Sequence, residues 1–267
     1  FILALSCILM MLAAPISAQD FQKGYEAAQS GDFETALKEW KPLAEGGNIV
    51  AQHNLGIMHR KGQGVPKDHR EAAKWYKLAA EQGDADAQYN LGVMYENGEG
   101  VPKDYKEVLR LYTLAANQGK VKAQYNLGVI YYEGRAVPQD YEEAVRWYTL
   151  AAKQGDAMAQ FNLASMYEDG HGVSQDYREA IKFYTLAARQ GYATAQSNLG
   201  LMHYNGQGVL ADPVIAHMWF NIAAANGAES AGANRDIIAK EMTSEDISKA
   251  EAMARACFNS NYEKCGY

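Results

Sequence analysis

The chain has 267 residues, 48% of them apolar and 21% charged, a composition that folds rather than one that stays disordered. Its formal net charge is −7 and it holds no Lys/Arg run able to neutralise a phosphate backbone, so nucleic acid is not expected as a partner. An acidic excess of this size mainly confers solubility.

Residues 1–18 carry no charge. An apolar run to Ala14 is followed by Pro15 and the small-residue stretch Ile16-Ser17-Ala18, the layout of a secretory signal cut after Ala18. That reading sends the mature chain to the periplasm or outside the cell, with no membrane span left after cleavage. An uncleaved anchor is the alternative, although the run before Pro15 is short for a span of roughly 20 residues. Cleavage removes Cys7 and leaves Cys257 and Cys265. In an exported chain an even count suggests a disulfide. Two free thiols or half of a metal site are the alternatives, and zinc normally needs four ligands.

Residues 19–47 read as an N-terminal hairpin, with helices over 21–30 and 33–45 joined at Gly31-Asp32. Ala36, Trp40 and Leu43 give the second helix an apolar face at helical spacing.

Residues 48–227 then form five units of 36 residues: 48–83, 84–119, 120–155, 156–191 and 192–227. The stretch Ala87-Gln88-Tyr89-Asn90-Leu91-Gly92 returns in each of them, and a fixed period of this length marks a stacked-repeat solenoid. In the second unit Asp84 is placed to cap helix A, on which Gln88, Leu91, Gly92 and Tyr95 share one face. Gly92, replaced by Ala164 in the fourth unit, lets a neighbouring helix approach closely. Helix A ends at Asn97-Gly98-Glu99-Gly100. Pro102 then disfavours helix in the residue before it. Asp104 with Glu107 gives helix B a capping-box layout, repeated at Asp68/Glu71, Asp140/Glu143 and Asp176/Glu179. The cap accounts for these carboxylates without catalysis. Residues 228–267 break the pattern: a last helix pair over 231–242 and 245–256, with Thr243-Ser244 as a cap, covers the end of the array, and the cysteine tail follows.

The motifs Ala-Gln-x-Asn-Leu-Gly-x-Met-Tyr, Gly-x-Gly-Val-x-x-Asp-Tyr-x-x-Ala and Trp-Tyr-x-Leu-Ala-Ala-x-Gln-Gly resemble the Sel1-like repeat family, relatives of the tetratricopeptide repeats. The resemblance is strong over residues 48–227 and weak on both flanks. It implies an all-α fold, a right-handed α/α solenoid of stacked helix-turn-helix repeats. It also implies an exported adaptor or scaffold that binds a protein or peptide on a concave helix-A surface. An envelope enzyme or β-lactam/peptidoglycan-binding protein of the cysteine-rich kind is one alternative, and this chain departs from that kind because its repeats contain no cysteine. A structural subunit of a secretion or polymer-export complex is the other.

The binding face expected on helix A is the one opposite the buried face. It comprises Tyr89, Val93, Glu96 and Asn97 in the second unit, and Tyr125, Val129, Tyr132 and Glu133 in the third. Phe161, Ser165, Glu168 and Asp169 follow in the fourth, and Ser197, Leu201, Tyr204 and Asn205 in the fifth. His53, Tyr89, Tyr125 and Phe161 form a row of rings at one equivalent position, suited either to capturing a partner or to packing between helices. Asn54, Asn90, Asn126, Asn162 and Asn198 form a second row, for which contact with a bound peptide and a bond to a neighbouring helix are both open. There is no catalytic motif, no phosphate loop and no Cys/His dyad in the repeats. No catalytic residue, cofactor or metal site is therefore expected.

Overall fold

The structure, a computed structural model, describes residues 18–263 and 265. The export segment and Cys7 lie outside the described residues, apart from Ala18, the first residue of α1.

The described chain is all-helical. The helices are α1 (Ala18–Ser30), α2 (Phe33–Glu45), α3 (Ile49–Lys61), α4 (His69–Glu81), α5 (Ala85–Asn97), α6 (Tyr105–Asn117) and α7 (Val121–Glu133). They continue with α8 (Tyr141–Lys153), α9 (Ala157–Asp169), α10 (Tyr177–Arg189), α11 (Ala193–Asn205), α12 (Pro213–Ala225), α13 (Glu229–Ile238) and α14 (Ser244–Asn259). Packing divides the chain into two compact units, Phe1–Ala115 and Ala116–Tyr267. In the first unit α1 to α5 pack each on the next, and in the second α7 to α13 do the same, with α14 lying on α12. Each unit is thus a stack of helix pairs, the arrangement of an α/α solenoid.

Glycine at one helix-A position sets how close the two helices of a pair come. A Cβ on Gly92 would sit 2.6 Å from the Tyr112 ring, and one on Gly128 would sit 2.5 Å from the Tyr148 ring. Helix B therefore lays a buried aromatic ring directly on helix-A backbone. One glutamine per repeat ties successive pairs together. In the first unit the Gln88 side-chain amide donates to the Ala80 carbonyl at 3.1 Å. In the second, Gln124, Gln160 and Gln196 donate to Ala116, Ala152 and Ala188. Their side-chain oxygens accept from Gln154, Gln190 and Asn226, at 2.7, 2.8 and 2.8 Å. These buried amides add a second donor to helix-end carbonyls that also accept from the N–H groups of Gly83, Gly119, Gly155 and Gly191.

The capping aspartates hold as the sequence predicts, but the glutamates do not complete a capping box. Asp68 and Asp104 in the first unit, and Asp140 and Asp176 in the second, accept from backbone N–H groups of the first turn of helix B. The N–H of each of these aspartates is already spent on a helix-A carbonyl, as in Asp176 N–H to Tyr167 O at 2.9 Å. The glutamate three residues on has nothing to reach back to. It pairs instead with a cation one turn ahead: Glu71 with Lys74, Glu107 with Arg110, Glu143 with Arg146, Glu179 with Lys182.

The C-terminal end also differs from the expected helix over 231–242. Helix α13 starts two residues earlier and stops at Ile238, passing into a 3-10 turn over Ala239–Glu241. Thr243 caps α14, its hydroxyl accepting from Asp246 N–H at 3.1 Å. Cys257 and Cys265 form a disulfide, and both are buried. The tail it closes brings the Tyr262 hydroxyl to the Asn226 side chain, where it donates to Oδ1 at 3.1 Å.

Candidate functional site

The helix-A positions read as a binding face fall in both units. In the first unit the rings pack on helix B of their own repeat, His53 against Tyr76 at 5.8 Å between centroids and Tyr89 against Tyr112 at 5.7 Å. The Asn90 amide lies 3.2 Å from the His53 Nε2 of the preceding repeat. Glu96 accepts from the Tyr112 hydroxyl at 2.7 Å, and Asn97 is exposed, donating to Glu99 at 3.1 Å. Val93 is half-buried. These side chains are engaged with each other, and the ring row is half core and half surface.

The second unit repeats the scheme with one change that opens a site. Tyr125 packs on Tyr148 at 5.9 Å, and Phe161 packs on Tyr184 at 5.6 Å and on Tyr192 at 5.0 Å. The Tyr184 hydroxyl donates to Glu168 at 2.7 Å, as Tyr112 does to Glu96. The third repeat has Tyr132 in the place of that glutamate. Tyr132 turns instead toward Tyr141, 5.3 Å away, which stacks on His171 at 4.6 Å.

A pocket of about 360 Å³ results between α7 and α9. Tyr125, Val129, Tyr132 and Glu133 line it from α7, and Phe161, Asn162 and Ser165 from α9. Tyr148 of α8 completes the wall and is only 2% exposed. Burial pushes the Tyr148 phenol pKa far up from 10.0, against hydrogen bonding from Asn162, which lowers it. Burial likewise raises Tyr125, again opposed by a hydrogen bond from Asn162, and it raises Tyr132. All three rings stay neutral phenols near neutral pH.

Seven residues read from the sequence as a binding face are thus brought together: Tyr125, Val129, Tyr132, Glu133, Phe161, Asn162 and Ser165. Sequence reasoning missed Tyr148, because it sits on helix B at the position that packs on glycine. The recurring tyrosine at 36-residue spacing was the available signal. The remaining predicted residues lie elsewhere. Asn126 is half-buried, Glu168 is held by Tyr184, and exposed Asp169 accepts from Ser165 at 3.3 Å. Tyr204 lines a separate small pocket with Leu201, Phe220 and Ile237, and donates to Glu241 at 3.0 Å.

Another pocket, of about 380 Å³ in the first unit, lies between α4 and α6 and was not foreseen. It is lined by Lys77, Glu81, Tyr95, Glu107 and Arg110 among others, and Arg110 is already paired with Glu107. Among the described residues no group of three or more His, Cys, Asp and Glu could hold a metal ion, and no helix is long and apolar enough to cross a membrane.

The Sel1 repeat family model matches residues 49–84, 85–120, 121–156, 157–192 and 193–227. The chain belongs to the Sel1 repeat family. A Sel1 repeat protein from Oxalobacter formigenes, known from its crystal structure, is 32% identical with a TM-score of 0.78 over 88% of this chain and 99% of that one. The c5321 protein of uropathogenic Escherichia coli, described as a protective antigen displaying an SLR fold, is 27% identical with a TM-score of 0.39, covering 91% of this chain and 69% of that one. Comparison with curated protein sequences found no match. Sel1 repeats are in general scaffolds for protein–protein interaction rather than catalysts.

Proposed function

We propose that this Sel1 repeat protein is an interaction scaffold that docks an extended protein segment in the pocket between α7 and α9. The observation that carries the reading is the convergence of four aromatic rings, Tyr125, Tyr132, Tyr148 and Phe161, with the Asn162 amide in one open concavity. Rings give large contact area for little lost side-chain freedom, and an amide can read peptide backbone as donor and acceptor. Export to an oxidising compartment, periplasmic or extracellular, is part of the proposal. The Cys257–Cys265 pair supports it, since such bonds are rare in reducing cytosol.

A peptide-display selection on the full chain tests the docking site, with counter-selection on a Tyr125→Ala/Phe161→Ala variant. Peptides retained by the parent and lost by the variant are expected. If every selected peptide binds both proteins equally, docking at this pocket is wrong.

A further inference from the structure

We propose that the α7–α9 pocket is an aromatic cage for a cation, and that its occupant is the arginine or lysine side chain of a partner protein segment. The inference rests on the docking reading above and specifies its anchor.

The wall chemistry is one-sided. Four rings and the Glu133 carboxylate line the pocket, and no cationic side chain does. Aromatic faces carry partial negative charge and attract ammonium and guanidinium groups, more strongly when water is excluded. Asn162 and Ser165 add neutral polar groups that can take the remaining N–H donors of a guanidinium. An acidic anchor would meet the Glu133 carboxylate. An apolar one would make no use of Ser165 or Glu133.

The field inside the pocket has the same sign. Burial is the main cause that raises the pKa values of Tyr125, Tyr132 and Tyr148, and nearby carboxylates add to it: Asp156 and then Glu133 at Tyr125, Asp169 and then Glu133 at Tyr132, and Glu133 at Tyr148. These carboxylates favour positive charge in the cavity, offset in part by the pairing of Arg135 with Glu133. The cage also depends on Tyr132, a position where this repeat departs from both its neighbours. A glutamate at 132 would engage the helix-B hydroxyl, as Glu168 engages Tyr184. Tyr132 supplies a ring instead, and the Tyr148 hydroxyl meets Asn162 at the pocket wall. One competitor is built in: Arg135, half exposed in the turn after α7, pairs with Glu133 from outside the wall. A bound guanidinium would share or displace that contact.

The charge is tested with two peptides, Ac-Gly-Gly-Arg-Gly-Gly-NH2 and its citrulline counterpart, titrated into the full chain by NMR or calorimetry. Citrulline keeps the shape of arginine and removes its charge. The arginine peptide is expected to bind, its lysine analogue within a few-fold of it, and the citrulline peptide about tenfold more weakly. Glu133→Gln, an exposed change, should weaken the arginine peptide several-fold with an unaltered melting temperature. Arg135→Ala should strengthen it by freeing Glu133. Equal affinity for arginine and citrulline, or no arginine binding, overturns the cage. The display selection separates the two levels of the argument. Pocket-dependent peptides that share no basic residue overturn the cage and leave docking intact, whereas the absence of any pocket-dependent peptide overturns both.

Discussion

Ala136 shows how strictly single positions are constrained. The turn after helix A uses two glycines with positive φ, such as Gly98 at 75° and Gly100 at 72° in the first unit, and Gly170 at 73° and Gly172 at 69° in the second. In the third repeat the second of these is Ala136, held at φ 67°. An L side chain in this region costs roughly 1–2 kcal/mol. Ala136→Gly should therefore stabilise the protein by about 1 kcal/mol after the extra entropy of an unfolded glycine is counted, read as a shift in urea midpoint. No change, or a loss, would mean the turn is relaxed with alanine in place. The two buried histidines give a pH dependence whose sign can be worked out. His203, 3% exposed, has its pKa lowered from 6.5 by burial, with Asp212 partly opposing. His217 is lowered by burial and then by Arg235, with Glu251 and Asp236 opposing. Below pH 6.5 the unfolded chain takes up protons that the folded chain resists, so stability present above that pH is lost as pH falls through the lowered folded values. Melting temperature should drop between pH 7 and pH 5. The drop should shrink in His203→Tyr/His217→Ile, which installs the residues found one repeat earlier at Tyr167 and Ile181. Persistence of the full drop in that variant would assign it to other groups.

At the scale of the element, the glutamate of the Asp-x-x-Glu pattern is where sequence and structure part. The aspartate was legible because a side-chain oxygen before a helix has one dominant use. The glutamate was not, because its partner depends on the Asp176 N–H, and that donor is consumed by the Tyr167 carbonyl across the intervening turn. A tertiary bond invisible in local spacing thus decides a local motif. The two residues should separate in mutagenesis. Asp176→Ala removes acceptance from Arg178 and Glu179 N–H and is expected to cost about 0.5–2 kcal/mol. Glu179→Gln weakens only an exposed pair with Lys182 and should cost no more than a few tenths of a kcal/mol. Equal losses in chemical denaturation would restore the reciprocal box. The pocket shows the same division. The 36-residue comparison found seven of its lining residues, since they share one helix-A face. Tyr148 escaped because helix B reaches the pocket past the side of a glycine, and that contact follows from how two helices pack rather than from either pattern alone.

For the whole molecule, the stacking rule predicts that the last repeat needs a cover, and α12 shows how the sequence provides one. At the positions of Lys182, Phe183 and Leu186 on α10, helix α12 carries Met218, Trp219 and Ile222, all three fully buried. They share a core with Ala250, Ala254, Cys257 and Cys265 at the C-terminal end. On another side of α12, Ala216, Phe220 and Ala223 pack with Ala231 and Ile238. The composition of α12 was readable in advance, but not the fact that two helices share its surface, since that rests on a chain reversal at the 3-10 turn. Ending the chain at Gly227 would return Met218, Trp219 and Ile222 to water. At about 1.5–3 kcal/mol for each buried side chain, the loss approaches the ~5–15 kcal/mol that holds a domain folded. The truncated protein should bind ANS, self-associate on gel filtration and lose its sharp thermal transition. Adding Met218→Lys to the truncation installs the residue found at Lys182 of the preceding repeat, makes the outer face resemble that of an internal repeat and should recover monomeric behaviour in part. If the simple truncation instead melts as sharply and as high as the full chain, α13 and α14 are not the cover of the array. The apolar character of α12 would then have to be assigned to a contact with another molecule.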